Sequence, residues 1–378
     1  MRVCTFRVAV AGVVASAFAL AAAATPAAAE PPIHWKVEAV PTFSPDVVQF
    51  TLTGRLGDSY NELSSPASLN TLVGLTVDQL HGSRQQPVAF HVQRDAGEFD
   101  CTGVAQGRLA SGDCTFVGRQ SFAQLLKSRG VGQAQTADLQ RMGMFNVGAD
   151  YVDALHRLHY VTPTVDELAR AGEHGVSVKF IRDMAVAGFP LSDIDGLIMA
   201  RDHGVDPDYV KAAKMAGYVL AAVDLVKLRD HGVSSEFLAG VKRTLYRELP
   251  ADDLARLRDH GVSTDWLAGL QKAGYGRLSV DQLVDLRDRG ISADYIAALH
   301  QAGYRTLTPT DIILLRDHGV SAGFVEEIVG QGYGDLTVAE VARLRDHGIS
   351  GHDLRKAAAL GRKLSADDII RLRDSGVI

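Results

Sequence analysis

The hexapeptide "LRDHGV" occupies Leu257–Val262 and recurs unchanged at Leu228–Val233 and Leu315–Val320. Close variants occur elsewhere, and aligning their glycine, or the residue that replaces it, gives one position about every 29 residues. The aligned positions are Asn146, Gly175, Gly204, Gly232, Gly261, Gly290, Gly319, Gly348 and Gly376. A fixed period of this length is typical of repeat proteins, in which each unit is one supersecondary element. The sequence therefore predicts nine units between about residue 120 and residue 376.

A second periodic position lies in the middle of each unit. It falls at Gly130, His159, Gly188, Gly217, Leu245, Gly274, Gly303, Gly332 and Gly361. In the unit Ser263–Gly290, serine at the N-cap predicts a first helix that ends before Gly274, and Ser279 with Gln282 predicts a capping box at the start of a second helix. Glycine after a helix adopts the left-handed conformation that ends it, and the following Val or Ile makes an apolar contact. We therefore interpret "LRDHGV" as the end of a helix, with structural caps at Gly204, Gly232, Gly261, Gly290, Gly319, Gly348 and Gly376.

The apolar residues of each unit have helical spacing. Val280, Leu283, Val284 and Leu286 fall on one face of the second helix of the unit above. A helix of about ten residues is marginal alone in water, so this face must pack against neighbouring units. The predicted fold is mainly α: an α-solenoid of nine two-helix repeats in residues 119–378, preceded by a small antiparallel β domain in residues 30–118.

The β domain is predicted from short β-rich segments separated by Gly, Pro, Asp and Ser clusters. Val47–Thr53, Val88–Gln93, Glu98–Val104 and Cys114–Val117 are the expected strands of an antiparallel meander. Ser65–Gly82 is expected to hold a short helix or a covering loop. We expect this domain to cover the first helical layer, because the end of a solenoid exposes apolar surface.

Residues 1–29 have the pattern of a secretory signal peptide: Arg2 and Arg7, an apolar run from Val8 to Ala24, and an A-x-A ending before Glu30. An uncleaved anchor helix is the alternative, but the alanine-rich run favours cleavage near Ala29. We therefore predict a periplasmic or secreted protein. Removal of the two arginines takes the formal charge from −6 to −8, which argues against a nucleic-acid partner.

Cys101 and Cys114 are predicted to form a structural disulfide, since an exported chain meets an oxidising compartment. Folding the chain about Gly107-Arg108 brings the two cysteines opposite each other, as on a hairpin. A catalytic dithiol would more typically be a C-x-x-C at a helix start.

One histidine recurs in most units, at His174, His203, His231, His260, His318 and His347. Shared metal sites are one interpretation, but zinc binds nitrogen at about 2.0–2.1 Å, whereas equivalent residues of stacked layers lie about 10 Å apart. A polar residue in the last turn also caps helix carbonyls and meets the negative end of the helix dipole. Because Arg289 and Ser375 occupy the same position in their units, we predict a structural role and no metal-ligating residues.

The remaining repeated side chains are also interpreted structurally. Arg-Asp pairs such as Arg258-Asp259 and Arg316-Asp317 are expected to form inter-layer ion pairs or a solvated ridge. One aromatic set is expected in the core: Tyr151, Phe180, Tyr209, Phe237, Trp266, Tyr295 and Phe324. A second set is expected to contact the preceding helix from outside, with partial exposure: Tyr218, Tyr275, Tyr304 and Tyr333.

The segments Leu278–Tyr304, "LSVDQLVDLRDRGISADYIAALHQAGY", and Leu336–Ser350, "LTVAEVARLRDHGIS", resemble tandem repeats of uncharacterised exported bacterial proteins. Similar repeats occur on the extracytoplasmic side of membrane zinc metallopeptidases of the β-lactam sensor-transducer family, and Pro87–Gly118 more loosely resembles the β segment that often precedes such repeats. The resemblance implies a module outside the cytoplasmic membrane. It implies no peptidase activity here, because the chain lacks the metal-binding motif and the transmembrane helices of those enzymes.

These features predict a non-catalytic scaffold that binds a protein partner across its repeats, with no cofactor. The alternatives are an accessory module that docks on a membrane sensor, or a structural protein that self-assembles through its C-terminal layer. The sequence contains no H-E-x-x-H, G-x-S-x-G, phosphate-loop or dinucleotide motif, so an enzyme is disfavoured. If the β domain were an enzyme, the polar residues available for catalysis would be Asp58, Tyr60, Asn61, His81 and His91. Residues that vary between units should mark a binding face if they cluster.

Overall fold

The computed structural model describes residues 32–42, 44–56, 59–190, 193–245 and 247–378, so the predicted signal peptide lies outside the described residues. In these ranges the chain forms an antiparallel β-sheet followed by an array of helices, as predicted. The strands are β1 Ile33–Glu38, β2 Val47–Leu56, β3 Ser59–Ser68, β4 Gln86–Gln93, β5 Gly97–Gln106 and β6 Leu109–Gly118.

The sheet consists of two three-stranded meanders joined side by side, in the order β3-β2-β1-β6-β5-β4. The expectation of one continuous meander was therefore wrong, because the chain passes from one edge of the sheet at β3 to the other edge at β4. The connection contains a 3₁₀ turn, Leu69–Thr71, and helix α1, Val77–His81. Thr76 caps α1 through a capping box with Gln79. The four predicted strands lie in β2, β4, β5 and β6, whereas β1 and β3 were not predicted.

One face of the sheet forms the core of the β domain. Trp35 and Phe90 pack edge to face with ring centres 4.7 Å apart, and Leu72 and Leu80 from the β3–β4 connection are buried with them. Cys101 lies directly opposite Cys114 on the β5–β6 hairpin, and the two are joined by a disulfide. The predicted pairing is therefore confirmed.

Helices α2–α19 form nine consecutive pairs in the described residues. They are α2 Gln120–Ser128, α3 Thr136–Met144, α4 Ala149–Arg157, α5 Val165–Glu173, α6 Val178–Ala187, α7 Ile194–Asp202, α8 Pro207–Met215, α9 Ala222–Asp230, α10 Ser235–Leu245, α11 Ala251–Asp259, α12 Thr264–Lys272, α13 Val280–Asp288, α14 Ala293–Gln301, α15 Pro309–Asp317, α16 Ala322–Gly330, α17 Val338–Asp346, α18 Gly351–Ala359 and α19 Ala366–Asp374. First helices pack on first helices of the next unit, as α4 does on α6, and second helices on second helices, as α5 does on α7. This is the α-solenoid that the period predicts.

The helix ends have the predicted cap geometry. All seven predicted cap glycines are left-handed, with φ between +63° and +73°. At Gly261 the amide donates to the Arg258 carbonyl at 2.9 Å, and the Val262 amide donates to the Leu257 carbonyl at 2.9 Å. These two bonds define a Schellman motif. Val262 is fully buried, so the valine of "LRDHGV" anchors this helix end in the core, whereas the equivalent Val377 of the last unit is exposed.

The β domain packs directly on the first units of the solenoid. The rings of Phe99 and Phe116 lie so close to α3 that a Cβ at Gly143 would be 3.0–3.2 Å from them. Asp95, in the β4–β5 turn, accepts a hydrogen bond from the Ala149 amide at the start of α4, at 2.7 Å. The sheet thus covers the first layer and also supplies a helix cap that α4 lacks in its own sequence.

Candidate functional site

In most LRDHGV-like segments the arginine connects two units. The guanidinium of Arg287 lies 5.8 Å from the ring centre of Trp266 in its own unit, and its Nε donates to the Gly261 carbonyl of the preceding unit at 2.9 Å. Arg229, Arg258 and Arg345 make the same bond to the preceding glycine, at 3.0, 3.1 and 3.3 Å. Because a helix C-terminus leaves carbonyls without intrahelical partners, this arginine both satisfies one of them and covers an aromatic ring.

The repeated histidines pair with aspartates of the following unit. Nδ1 lies 2.7–2.8 Å from a carboxylate oxygen in the pairs His174–Asp202, His203–Asp230, His231–Asp259, His260–Asp288 and His318–Asp346. The histidines are C-cap residues, as predicted, and the aspartate partner is new. The Arg-Asp segments take part in inter-layer ion pairs, which is one of the two expected arrangements. The Asp pairs with the preceding imidazole, or with Arg289 in the pair Arg289–Asp317 at 3.3 Å, while the Arg donates to a preceding carbonyl. These side chains are more than a third exposed, so each pair contributes about 0–1 kcal/mol.

A second row of ion pairs joins successive second helices. Arg170–Asp195, Lys227–Asp252 and Arg256–Asp281 each have a nitrogen–oxygen distance of 2.5 Å. The hydrogen bond from Lys227 holds the pKa of Asp252 below its usual value. The equivalent positions between α7 and α9 hold Met199 and Val223, and Val223 is 61% exposed. At this step of the array, apolar side chains replace the ion pair.

Both aromatic sets, the one expected in the core and the one expected to be partly exposed, pack against the helical array. The first set is in the core, as predicted, and Tyr209 donates to the Val233 carbonyl at 3.0 Å while burial raises the pKa of this phenol to about 12. The second set also packs into the array, since Tyr218 and Tyr333 are buried. Tyr275 and Tyr304 are partly exposed, as expected, and Tyr275 also donates to the Leu307 carbonyl of the next unit at 2.7 Å.

One exposed surface departs from the repeat pattern. It lies where the first helix of a unit turns into the second, and we call it the turn-edge patch: Val161, Val186, Met215 and Val219 with Arg157, Arg182 and Lys214. Val186, Met215 and Val219 are 80%, 88% and 92% exposed. The residues equivalent to Val186 and Met215 in the three following units are Arg243, Lys272 and Gln301. Exposed apolar side chains that cluster in this way mark interaction surfaces.

A groove adjoins the patch between α4 and α6. It has a volume of about 530 Å³ and is lined by Ala154, Arg157, Leu158, Arg182, Ala185 and Val186. Arg157, Arg182 and Lys214 are exposed and form no salt bridge with any residue that the structure describes. The groove therefore combines an apolar floor with uncompensated positive charge. Sequence reasoning missed these residues, although large apolar residues at repeat positions that most other units fill with polar residues or glycine were a usable signal.

The polar residues of the β domain do not converge on one site. Tyr60 and Asn61 lie on β3 and His91 lies on β4, at opposite edges of the sheet. His81 is in the last turn of α1. Asp58 lies outside the described residues.

No family model, curated protein or solved structure matches this chain. Among the described residues, none of the helices combines the length and the apolar character needed to cross a membrane.

Proposed function

We propose that this protein is an exported, non-catalytic scaffold that binds a protein partner through the turn-edge patch of its solenoid. The observation that carries the proposal is the 80–92% exposure of Val186, Met215 and Val219 at positions that most other units fill with polar residues or glycine. Burial against a partner would remove this apolar surface from water, at about 25 cal/mol per Å². Export is supported by the pattern of residues 1–29 and by the disulfide.

The charge around the groove defines the partner's chemistry. Arg157 and Arg182 line the groove beside apolar side chains, and Lys214 belongs to the adjoining patch; none of the three has a carboxylate partner in the described part of the chain. An amphipathic segment with an apolar face and acidic flanks would match both features, as in helix-in-groove recognition. We expect the partner among proteins of the cell envelope, with a membrane sensor as one candidate class.

Self-association through the C-terminal layer is less well supported. The exposed surface of α19 carries Arg371, Arg373 and Asp374, whereas Ile369 and Ile370 are buried. A layer with this distribution presents charge rather than a continuous apolar face.

The test is a cross-linked pull-down from envelope fractions with three forms of the protein. One is unchanged, one carries Arg182→Glu, Val186→Ser and Met215→Ser in the patch, and one carries Lys272→Ala and Gln301→Ala at equivalent positions of later units. Circular dichroism checks that all three fold alike, which we expect because the substituted side chains are exposed.

We expect an envelope protein to be recovered by the unchanged protein and by the control, and at least tenfold less by the patch variant. Equal recovery by all three forms would show that the patch is not the binding surface. Recovery of the bait alone, as a dimer or larger species, would reject a partner scaffold in favour of self-assembly.

A further inference from the structure

We propose that His91, Glu98 and Asp100 form a binding site for a zinc-type divalent metal ion on the outer face of the β-sheet. The sheet register brings the three side chains together. His91 on β4 lies directly opposite Asp100 on β5, and Glu98 precedes Asp100 by two residues. Because side chains two apart on a strand share a face, all three project from the same side of the β4–β5 pair.

The backbone of His91 is fixed on both sides. On one side it pairs with β5, and on the other its amide and carbonyl both bond to Val73, at 2.9 Å each. The imidazole therefore projects from a strand that is hydrogen-bonded along both edges at this point. Such support is what a preformed ligand set requires.

The ligand atoms have a spacing suited to one small cation. His91 Nδ1 contacts Asp100 Oδ1 and lies 3.4 Å from Glu98 Oε1, and the three ligand atoms all lie within 4.8 Å of one another. Tetrahedral zinc with ligands at about 2.0–2.1 Å needs ligand atoms about 3.3 Å apart. The 3.4 Å separation of His91 Nδ1 and Glu98 Oε1 is already close to this value.

The charge of the cluster is unbalanced without a cation. Two carboxylates face one imidazole, and in the described ranges no Lys or Arg lies within salt-bridge distance of Glu98 or Asp100. The pair His34–Asp113 on the same sheet provides a comparison, with one carboxylate for its imidazole at 2.5 Å. A divalent ion would offset the excess negative charge at the first site but is not needed at the second.

The donor set selects the class of metal. One imidazole and two carboxylates suit zinc, with water in the fourth position. Calcium requires six to eight oxygen ligands, which this cluster does not supply. The side chains are 34–53% exposed, so an ion reaches them directly from solvent.

The test is isothermal titration of tag-free, chelator-treated protein with zinc chloride, compared across three variants. We expect one saturable zinc site in the unchanged protein. Glu98→Gln and Asp100→Asn should each weaken zinc binding at least tenfold, because even the loss of an outer-shell partner weakens metal sites 10–100-fold. The matched control, His34→Ala, should leave the affinity within twofold.

The variants are first compared in chelator by thermal unfolding, so that a loss of binding is separated from a loss of folding. Absence of a saturable zinc isotherm would overturn the proposal. Equal affinity in Glu98→Gln, Asp100→Asn and the unchanged protein would overturn it too, as would saturation by calcium but not by zinc. The result is independent of partner binding, since the turn-edge patch lies on other elements.

Discussion

Of the three polar side chains in "LRDHGV", we expect the arginine to contribute most to the free energy of unfolding. Arg287 is half-buried, lies 5.8 Å from the centre of the Trp266 ring and donates to the Gly261 carbonyl at 2.9 Å. A hydrogen bond to a charged group contributes about 1.5–3 kcal/mol, and an exposed cation–π contact about 0.5–1 kcal/mol. Allowing for partial exposure, we expect Arg287→Ala to lower the free energy of unfolding by about 2 kcal/mol. The exposed pair His260–Asp288 contributes at most about 1 kcal/mol, so His260→Ala and Asp288→Ala should each cost less.

Trp266 makes this difference measurable, because the chain has only two tryptophans. In a Trp35→Phe background its fluorescence follows the central units during urea unfolding, which is useful because a repeat array need not unfold as one cooperative unit. Arg277→Ala, at another exposed arginine of the same unit, controls for the loss of a positive charge. A cost for Asp288→Ala equal to that of Arg287→Ala, or a cost for Arg287→Ala below about 0.5 kcal/mol, would refute the reasoning.

Three further outcomes follow from the structure. Replacing both Cys101 and Cys114 with alanine removes a disulfide between residues 13 apart and should lower the free energy of unfolding of the β domain by about 3 kcal/mol. An unchanged midpoint of thermal unfolding, followed by near-ultraviolet circular dichroism, would contradict this. His159 has φ +60°, so His159→Gly should relieve left-handed strain and raise the urea midpoint by the equivalent of about 1 kcal/mol, whereas a lower midpoint would show that the imidazole itself stabilises the turn. Burial alone would raise the pKa of Asp353. The hydrogen bonds from Ser350 lower this pKa by a larger amount, so the pKa of Asp353 lies below its usual value. A carboxylate whose pKa is lower in the folded than in the unfolded state stabilises the fold at pH values above the unfolded-state pKa. This stabilisation is lost as the pH falls through the folded-state pKa. Thermal stability should therefore decline less steeply below about pH 4 in Asp353→Asn, and an identical decline in both proteins would exclude this carboxylate as a cause.

The helical array was predictable because its signals are local. Capping residues and glycine stops act within one turn of helix, and their period fixed the unit boundaries. Two residues that replace glycine at the aligned positions also have the left-handed conformation: Asn146 and His159, with φ +56° and +60°. Leu245, the third residue that replaces glycine, does not end its helix, because α10 includes it and is 11 residues long.

Two strands were not predictable because their stability comes from pairing rather than from composition. Strand β3, "SYNELSSPAS", is rich in serine, contains Pro66, and forms an edge of the sheet. Proline is tolerated at an edge, but the segment has too few β-branched or aromatic residues to be recognised alone. Its conformation is determined by the pairing with β2 along its whole length. The group His91, Glu98 and Asp100, for which we propose metal binding, was missed for a related reason, since the register that places His91 opposite Asp100 becomes visible only in the folded sheet.

Departures from the repeat are informative about function only where stacking does not explain them. Glycine replaces the bridging arginine at Gly143 and Gly172, and both have structural reasons: a Cβ would meet the rings at the sheet in the first case and lie 2.6 Å from the Val147 side chain in the second. Val186, Met215 and Val219 have no such reason, because at 80–92% exposure they add almost nothing to the core. Polar residues at the same positions of other units show that the fold does not require apolar side chains there. Exposed apolar surface offers the free protein no stabilisation, and this is why we propose contact with another molecule as the role of the patch.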